Sequence, residues 1–294
     1  MQLRTDLAVE AREIAGEELS GVEYTSESTG GIQIEKMIVK TDKAVRTLRK
    51  ERGTYITIEL PPLTDDFKDT DERLLSIGEE IRKLLPVNGL VLVVGLGNTQ
   101  ITPDALGPRA ASQILATRHI RGELARSTGL DKLRPVAVLT TGVTGQTGIE
   151  TGEYICSIVK KLRPNAIVAI DALASRRLAR LGCTMQISDT GIAPGAGVGN
   201  HRTKINNETM GVPVIAIGVP TVVDASTLAF DLLNIENEQE WQTLLQTLSP
   251  NGRSMIVTPK EIDLLIGRAA KLISMSLNCA LHEDFELSDI LSLI

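Results

Sequence analysis

Aromatic side chains are nearly missing from this chain: one tryptophan, three tyrosines and three phenylalanines in 294 residues, 2% of the whole. Such a chain offers no stacking platform for single-stranded nucleic acid. Its core has to be filled by Val, Ile, Leu and Ala, as in buried parallel strands covered by helices. An excess of positive charge is missing too. Lys and Arg number 31 against 37 Asp and Glu, a formal net charge of −6, the wrong sign for gripping phosphate backbones over a wide face. Cys156, Cys183 and Cys279 are few, odd in number and widely spaced, which fits reduced thiols packed as small core residues in a cytosol and not a disulfide framework. His119, His201 and His282 are isolated, and no His-Glu-x-x-His or Cys-x-x-Cys pattern occurs, so neither a tight zinc site nor another metal or cofactor is expected. The Gly-x-Ser-x-Gly nucleophile elbow is absent as well. The first sixteen residues carry Asp6, Glu10 and Glu13 and no long apolar run. Neither a signal peptide nor a membrane anchor is expected there, and the chain reads as cytoplasmic.

What is present belongs to an ordinary globular protein, with 42% hydrophobic and 23% charged residues. The run from Gly89 to Leu96 is continuously apolar and β-branched, as a strand buried on both faces should be. Further apolar runs follow at Val136 to Leu139, Ala166 to Ile170 and Val214 to Ile217. Stretches of helical spacing, Ala105 to Thr117 and Ile149 to Leu162, separate them. This alternation predicts an α/β fold with three α/β/α layers around a mostly parallel or mixed central sheet, of phosphorylase/hydrolase-like type. Residues 7–85 mix two strand candidates, Gly31 to Val39 and Tyr55 to Leu60, with charged helical segments at Asp42 to Lys50 and Asp71 to Leu84, and read as an α+β elaboration of that one domain. Two amphipathic helices are expected near the end, Glu236 to Leu248 and Pro259 to Leu281, the second opening with Thr258 as N-cap and Pro259 at the first helical position.

Ligands of open α/β sheets collect at the carboxyl ends of the strands. At one such end Gly95-Leu96-Gly97-Asn98 leads into Thr102-Pro103-Asp104-Ala105-Leu106-Gly107-Pro108. The Gly-x-Gly start suggests a dinucleotide site, but Pro103-Asp104 stands where a third glycine would approach a pyrophosphate, and a carboxylate there repels it. At a second end Ala166 to Ile170 is followed at once by Asp171. Each aspartate has a competing reading as a capping residue. Together they form a different object: two strands of one sheet deliver Asp104 and Asp171 to the same edge. Two carboxylates close together in a partly dry cleft cannot both ionise easily, so one keeps its proton while the other activates water. Two glycine-rich loops accompany them. Thr140 to Glu150, with Gly142 and Gly145, offers backbone N–H groups for a substrate carbonyl. Ser188 to Asn200, with Gly197 and Gly199, lets a peptide backbone come close. Gly97, Asn98, Gly142, Gly145, Gly197 and Gly199 are the candidate substrate-binding residues.

Several of these segments, with others, resemble the bacterial spore germination protease family. They are Val94-Gly95-Leu96-Gly97-Asn98 with Thr102 to Pro108, Thr147-Gly148-Ile149-Glu150-Thr151, Ala169-Ile170-Asp171-Ala172-Leu173-Ala174, Gln186-Ile187-Ser188-Asp189-Thr190-Gly191 and Gly218 to Ala225. Arg4-Thr5-Asp6-Leu7-Ala8-Val9-Glu10 near the start and Val257 to Asp263 near the end extend the resemblance over most of the chain. It thins over residues 17–85 and 232–253. The resemblance implies an endopeptidase that opens the degradation of small acid-soluble spore proteins on germination. It implies Asp104 and Asp171 as catalytic residues, a location in the forespore or spore core, no direct contact with nucleic acid or membrane, and a homotetramer. It also implies a fold shared with hydrogenase maturation endopeptidases, although the histidine of their metal-sensing site has no counterpart here. Family members are made as zymogens, and the stretch Arg4 to Glu10 is similar to their junction and to the substrate pattern of an acidic residue, an apolar one and Ala. Self-cleavage between Asp6 and Leu7 is the expectation, leaving residues 1–6 as propeptide and 7–294 as the peptidase domain.

Overall fold

The computed structural model describes residues 4–16, 19–64, 71–120, 122–127, 129–194, 203–233, 238–248, 255–283, 285 and 288–290. Among these, nine strands form one mixed sheet. In chain order they are β1 (Val22–Thr29), β2 (Ile32–Val39), β3 (Gly53–Glu59), β4 (Val91–Gly95), β5 (Val136–Thr140), β6 (Ala166–Ser175), β7 (Thr184–Ser188), β8 (Val214–Asp224) and β9 (Ile256–Val257). Across the sheet the order is β1-β2-β3-β7-β8-β6-β4-β5, with β9 pairing off β8. The pairs β8 with β6, β6 with β4 and β4 with β5 are parallel, and the others are antiparallel. The sheet is therefore mixed. The α+β region joins it directly, because β3 pairs with β7 over Tyr55 to Glu59.

Successive side chains of a strand point to opposite faces, and the helices divide accordingly. Val91 and Val93 of β4, Val168 and Ile170 of β6, Ile215 and Ile217 of β8, and Ile56 and Ile58 of β3 share one buried cluster with α3 (Glu72–Leu84), α4 (Leu106–Ala111) and α11 (Ile262–Leu281). Leu92 and Val94, with Ile167 and Ala169, face the other way onto α7 (Thr151–Leu162). On that second face, under the antiparallel half, α1 (Ala8–Ala15) and α2 (Asp42–Leu48) pack on Met37, Val39 and Tyr55. The remaining helices are α5 (Glu123–Ser127), α6 (Thr144–Thr147), α8 (Asn207–Met210), α9 (Ala225–Leu233) and α10 (Glu238–Leu248), the last two joined by an edge-on contact of Phe230 with Trp241.

α11 is long and apolar enough by length and composition to cross a membrane, yet most of it is buried against α3 and α4. It starts at Ile262, after a turn closed by the Ile262 N–H on the Pro259 carbonyl, and Thr258 is not its cap. The Thr258 hydroxyl donates instead to the Thr221 carbonyl of β8 at 3.2 Å, which ties the entry of the helix to the sheet. The helix expected over Ala105 to Thr117 is shorter, since α4 stops at Ala111. All three cysteines are free thiols; Cys279 is buried, and Cys156 and Cys183 are only half-buried.

Candidate active site

β4 ends at Gly95, level with Ile170 of β6 and Ile217 of β8, but β6 and β8 run on as a ribbon to Ser175 and Asp224. Asp171 therefore lies within β6 and not after it. The apolar run ends at Ile170 because the neighbour β4 ends there, while the hydrogen-bonded strand continues on β8. Asp171 stands opposite Gly218, which stands opposite Gln186 of β7. The three share a row and a face, the one turned away from α11. At Gly218 the Leu173 side chain takes the place of a side chain in that row, its Cγ 2.6 Å from where a Cβ would stand. A Cβ there would lie 2.7 Å from the Asp171 carbonyl oxygen.

Asp104 arrives from β4 by a tight turn. Gly97 holds φ at +118°, and a Cβ on it would sit 2.0 Å from the Asp104 carbonyl oxygen, so the turn closes only around glycine. The Asn98 N–H is shared between Asp104 Oδ2 at 2.8 Å and the Asp104 carbonyl at 3.1 Å. Asn98 Oδ1 accepts from the Gln100 N–H at 2.9 Å and from Gln146 Nε2 at 2.7 Å. The Thr221 hydroxyl of β8 donates to the Pro103 carbonyl at 2.9 Å. Asp171 Oδ1 accepts from the Ala172 N–H at 2.9 Å. Both aspartates line one cleft of about 1310 Å³, together with Gly97, Asn98 and Gly142. Asp224 lines it as well, but its Oδ1 accepts from the Thr227 N–H at 2.9 Å and from the Ser226 hydroxyl at the start of α9, so it is engaged as a helix cap.

The glycine loops divide. Gly142 reaches the cleft, whereas Gly145 lies exposed inside α6, away from the cleft lining. The N–H groups of Gln146, Thr147 and Gly148 close that helical turn on Val143 and Thr144. These three N–H groups are engaged in the turn and are not available to a substrate carbonyl. Gly197 and Gly199 lie outside the described residues. No group of three or more His, Cys, Asp or Glu able to hold a metal occurs among the described residues.

Arg4, Thr5 and Asp6 line the same cleft. The Asp6 N–H donates to the Ala174 carbonyl of β6 at 2.9 Å, and Asp6 Oδ2 accepts from the Ala174 N–H at 2.7 Å. Leu7 is fully buried, packed with Val9 and Leu173. Glu10 is fully buried too, and its carboxylate accepts from the N–H groups of Arg176 at 2.6 Å and Arg177 at 3.0 Å and from the Thr5 hydroxyl. Two residues with no assigned role from sequence meet this segment. Lys50 Nζ donates to the Asp6 carbonyl at 2.8 Å, and Gln186 Nε2 donates to the same oxygen at 3.0 Å. Gln186 Oε1 accepts from the Ala8 N–H at 2.6 Å. Burial lowers the pKa of Lys50, and the charges of Asp6 and Glu10 offset part of that. Burial likewise pushes Tyr55, which donates to the Glu51 carbonyl, up to about 12.

Comparison with known proteins decides the family. The sequence model of the germination proteases matches residues 3–235 and 232–292. The chain belongs to the germination protease family. A germination protease of Caldanaerobacter subterraneus subsp. tengcongensis is 44% identical over 307 aligned positions, covering 95% of this chain and 94% of that one. A germination protease of Clostridium acetobutylicum is 40% identical over 320, covering 98% of each. Membership makes the chain a peptidase. Among solved structures, a [NiFe] hydrogenase maturation protease from Thermococcus kodakarensis aligns with 67% of this chain and 98% of that one at 16% identity and a TM-score of 0.37.

Proposed function

We propose that this germination protease family member is an endopeptidase that begins the breakdown of small acid-soluble spore proteins in the spore core, using Asp104 and Asp171 as an acid/base pair. The observation that carries this reading is that both carboxylates line one cleft in which a length of peptide is bound along β6. One aspartate takes a proton from water as it adds to the scissile carbonyl, the other protonates the departing nitrogen, and no acyl-enzyme forms. The proton is a property of the pair and not of one residue. The bound peptide is the chain's own junction, Asp6 then Leu7 then Ala8, so self-cleavage between Asp6 and Leu7 is part of the reading, with residues 1–6 as the propeptide of a homotetrameric zymogen.

Incubation of the purified protein with a small acid-soluble spore protein, followed by intact-mass analysis, tests it. The wild type produces new termini after acidic residues, unaffected by chelators. Asp104→Asn and Asp171→Asn each lower the rate by about 10²- to 10⁴-fold without loss of folding. Binding without new termini would make the chain a non-catalytic peptide-binding module. Chelator-sensitive cleavage confined to a metalloprotein precursor would make it a maturation-type enzyme.

A further inference from the structure

The peptide bond between Asp6 and Leu7 is held by both of its polar atoms. Its oxygen accepts from Lys50 Nζ and Gln186 Nε2, and its N–H donates to Thr5 Oγ1 at 3.0 Å. The residues on either side are fixed as well, Asp6 by the main chain of Ala174 and Leu7 by burial against Leu173. Anchoring of a chain terminus would be served by the Leu7 contact, worth about 1.5–3 kcal/mol, and by the three donors on Glu10. Lys50 adds to that anchoring through its donation to the Asp6 carbonyl and its attraction to Asp6 and Glu10, but a carbonyl does not require an ammonium for this. A neutral donor satisfies such an oxygen, and removing an ammonium from water is costly. A positive charge aimed at a carbonyl oxygen does have a chemical use, since negative charge develops there when the carbon is attacked.

We propose that Lys50 and Gln186 are catalytic residues that form the oxyanion site for hydrolysis after an acidic residue, with the Ala174 main chain receiving that residue's carboxylate; the proposal rests on the peptidase reading above. Water adds to the Asp6 carbonyl carbon and loses a proton to the aspartate pair. The carbonyl π electrons move onto the oxygen, between Lys50 and Gln186. The intermediate collapses, the C–N bond breaks, and the Leu7 nitrogen takes a proton. One water is consumed, leaving a carboxylate on Asp6 and an amine on Leu7. The row places this oxyanion site beside Asp171: Gln186 and Asp171 stand on either side of Gly218 on one face, two strand spacings or about 10 Å apart at Cα, with the Leu173 side chain lying over Gly218.

Self-processing of the full-length chain is the test, followed by intact mass and N-terminal sequencing for a terminus at Leu7. Gln186→Glu is the informative variant because it keeps the acceptor for the Ala8 N–H and replaces the donor on the Asp6 carbonyl. Lys50→Met removes the ammonium and Lys50→Arg retains a cation. The expected result is a fall in the processing rate on the order of 10²-fold or more for Gln186→Glu and Lys50→Met, with a smaller loss for Lys50→Arg. Hydrogen exchange at Ala8 and Leu7 stays protected as in the wild type, which a loss of docking would not leave unchanged. Should Lys50→Met not fold, Gln186→Glu decides alone. Processing of Gln186→Glu at the wild-type rate, with Asp104→Asn and Asp171→Asn inactive, would overturn the oxyanion site and leave the peptidase reading standing. Absence of processing in the wild type, or its persistence in the aspartate variants, would overturn the self-cleavage reading and the oxyanion site with it.

Discussion

β4 is buried at all five positions and β6 at nine of ten, whereas β1, at the other edge of the same sheet, has no buried residue. β4 and β6 lie inside the sheet with helices on both faces and are apolar almost throughout, whereas β5, the edge strand beside them, is buried at one of its five positions. The antiparallel edge faces water, and its row of Glu, Thr and Ser keeps it from pairing further. The contrast extends to function. In the parallel half a polar residue inside or just after an apolar run is conspicuous, and Asp104 and Asp171 are such residues. In the antiparallel half polar residues are common, and the groups that hold the chain's own peptide, Gln186 on β7 and Lys50 between α2 and β3, are hidden among them. The aspartate pair sits on one half, and the two donors on the Asp6 carbonyl come from the other.

Three substitutions sharpen this division. Gly97→Ala strikes the turn that carries Asp104. Its backbone strain and the close approach to the Asp104 carbonyl together cost about 4 kcal/mol. Thermal denaturation should show that loss, and cleavage should fall with it; a stable and fully active variant would mean the turn does not hold the aspartate as described. Glu10→Leu strikes the other half. It orphans the Arg176 and Arg177 N–H groups and leaves Arg180 facing Glu13 and Glu59 alone. A loss of about 3 kcal/mol is expected, with residues 4–10 becoming susceptible to added protease while the parallel half keeps its hydrogen-exchange protection.

The smallest effect concerns His282, at the end of α11. It is buried, neither ring nitrogen has a hydrogen-bond partner among the described residues, and burial together with the Arg134 charge lowers its pKa to about 4 from 6.5. The unfolded chain takes up this proton as pH falls through about 6.5, and the folded chain only near 4. Stability contributed by the neutral ring is complete above pH 6.5 and drains away as pH falls toward 4. The loss is about 2 kcal/mol once residual solvation of the ring is allowed for. His282→Leu should flatten the stability profile in that window, and an unchanged slope would assign it to other groups.

Much of the parallel half was legible from sequence because its signal is local: each apolar run is a strand, and each carboxylate follows a run. The length of β6 was not legible, since its continuation past Asp171 depends on β8 running alongside it. β7 was missed although Thr184-Met185-Gln186-Ile187-Ser188 alternates polar and apolar, the pattern of a strand with one face on a core. Lys50 carried no signal. It follows a polar helix whose last turn is broken by Arg49 in the left-handed region, and its contact with Asp6 spans residues far apart in the chain. Glycine content did not separate Gly142, which lines the cleft, from Gly145, which lies exposed in a helical turn beside it.

The central claim is that Asp104 and Asp171 work as one unit, and the most direct test is a double-mutant cycle on cleavage rate with Asp104→Asn, Asp171→Asn and the double variant, all checked for wild-type folding. Residues that act as a unit are strongly non-additive, so each single substitution should cost about 10²- to 10⁴-fold and the double variant little more than either. A single variant that cleaves at the wild-type rate, or losses that multiply in the double variant, would contradict it.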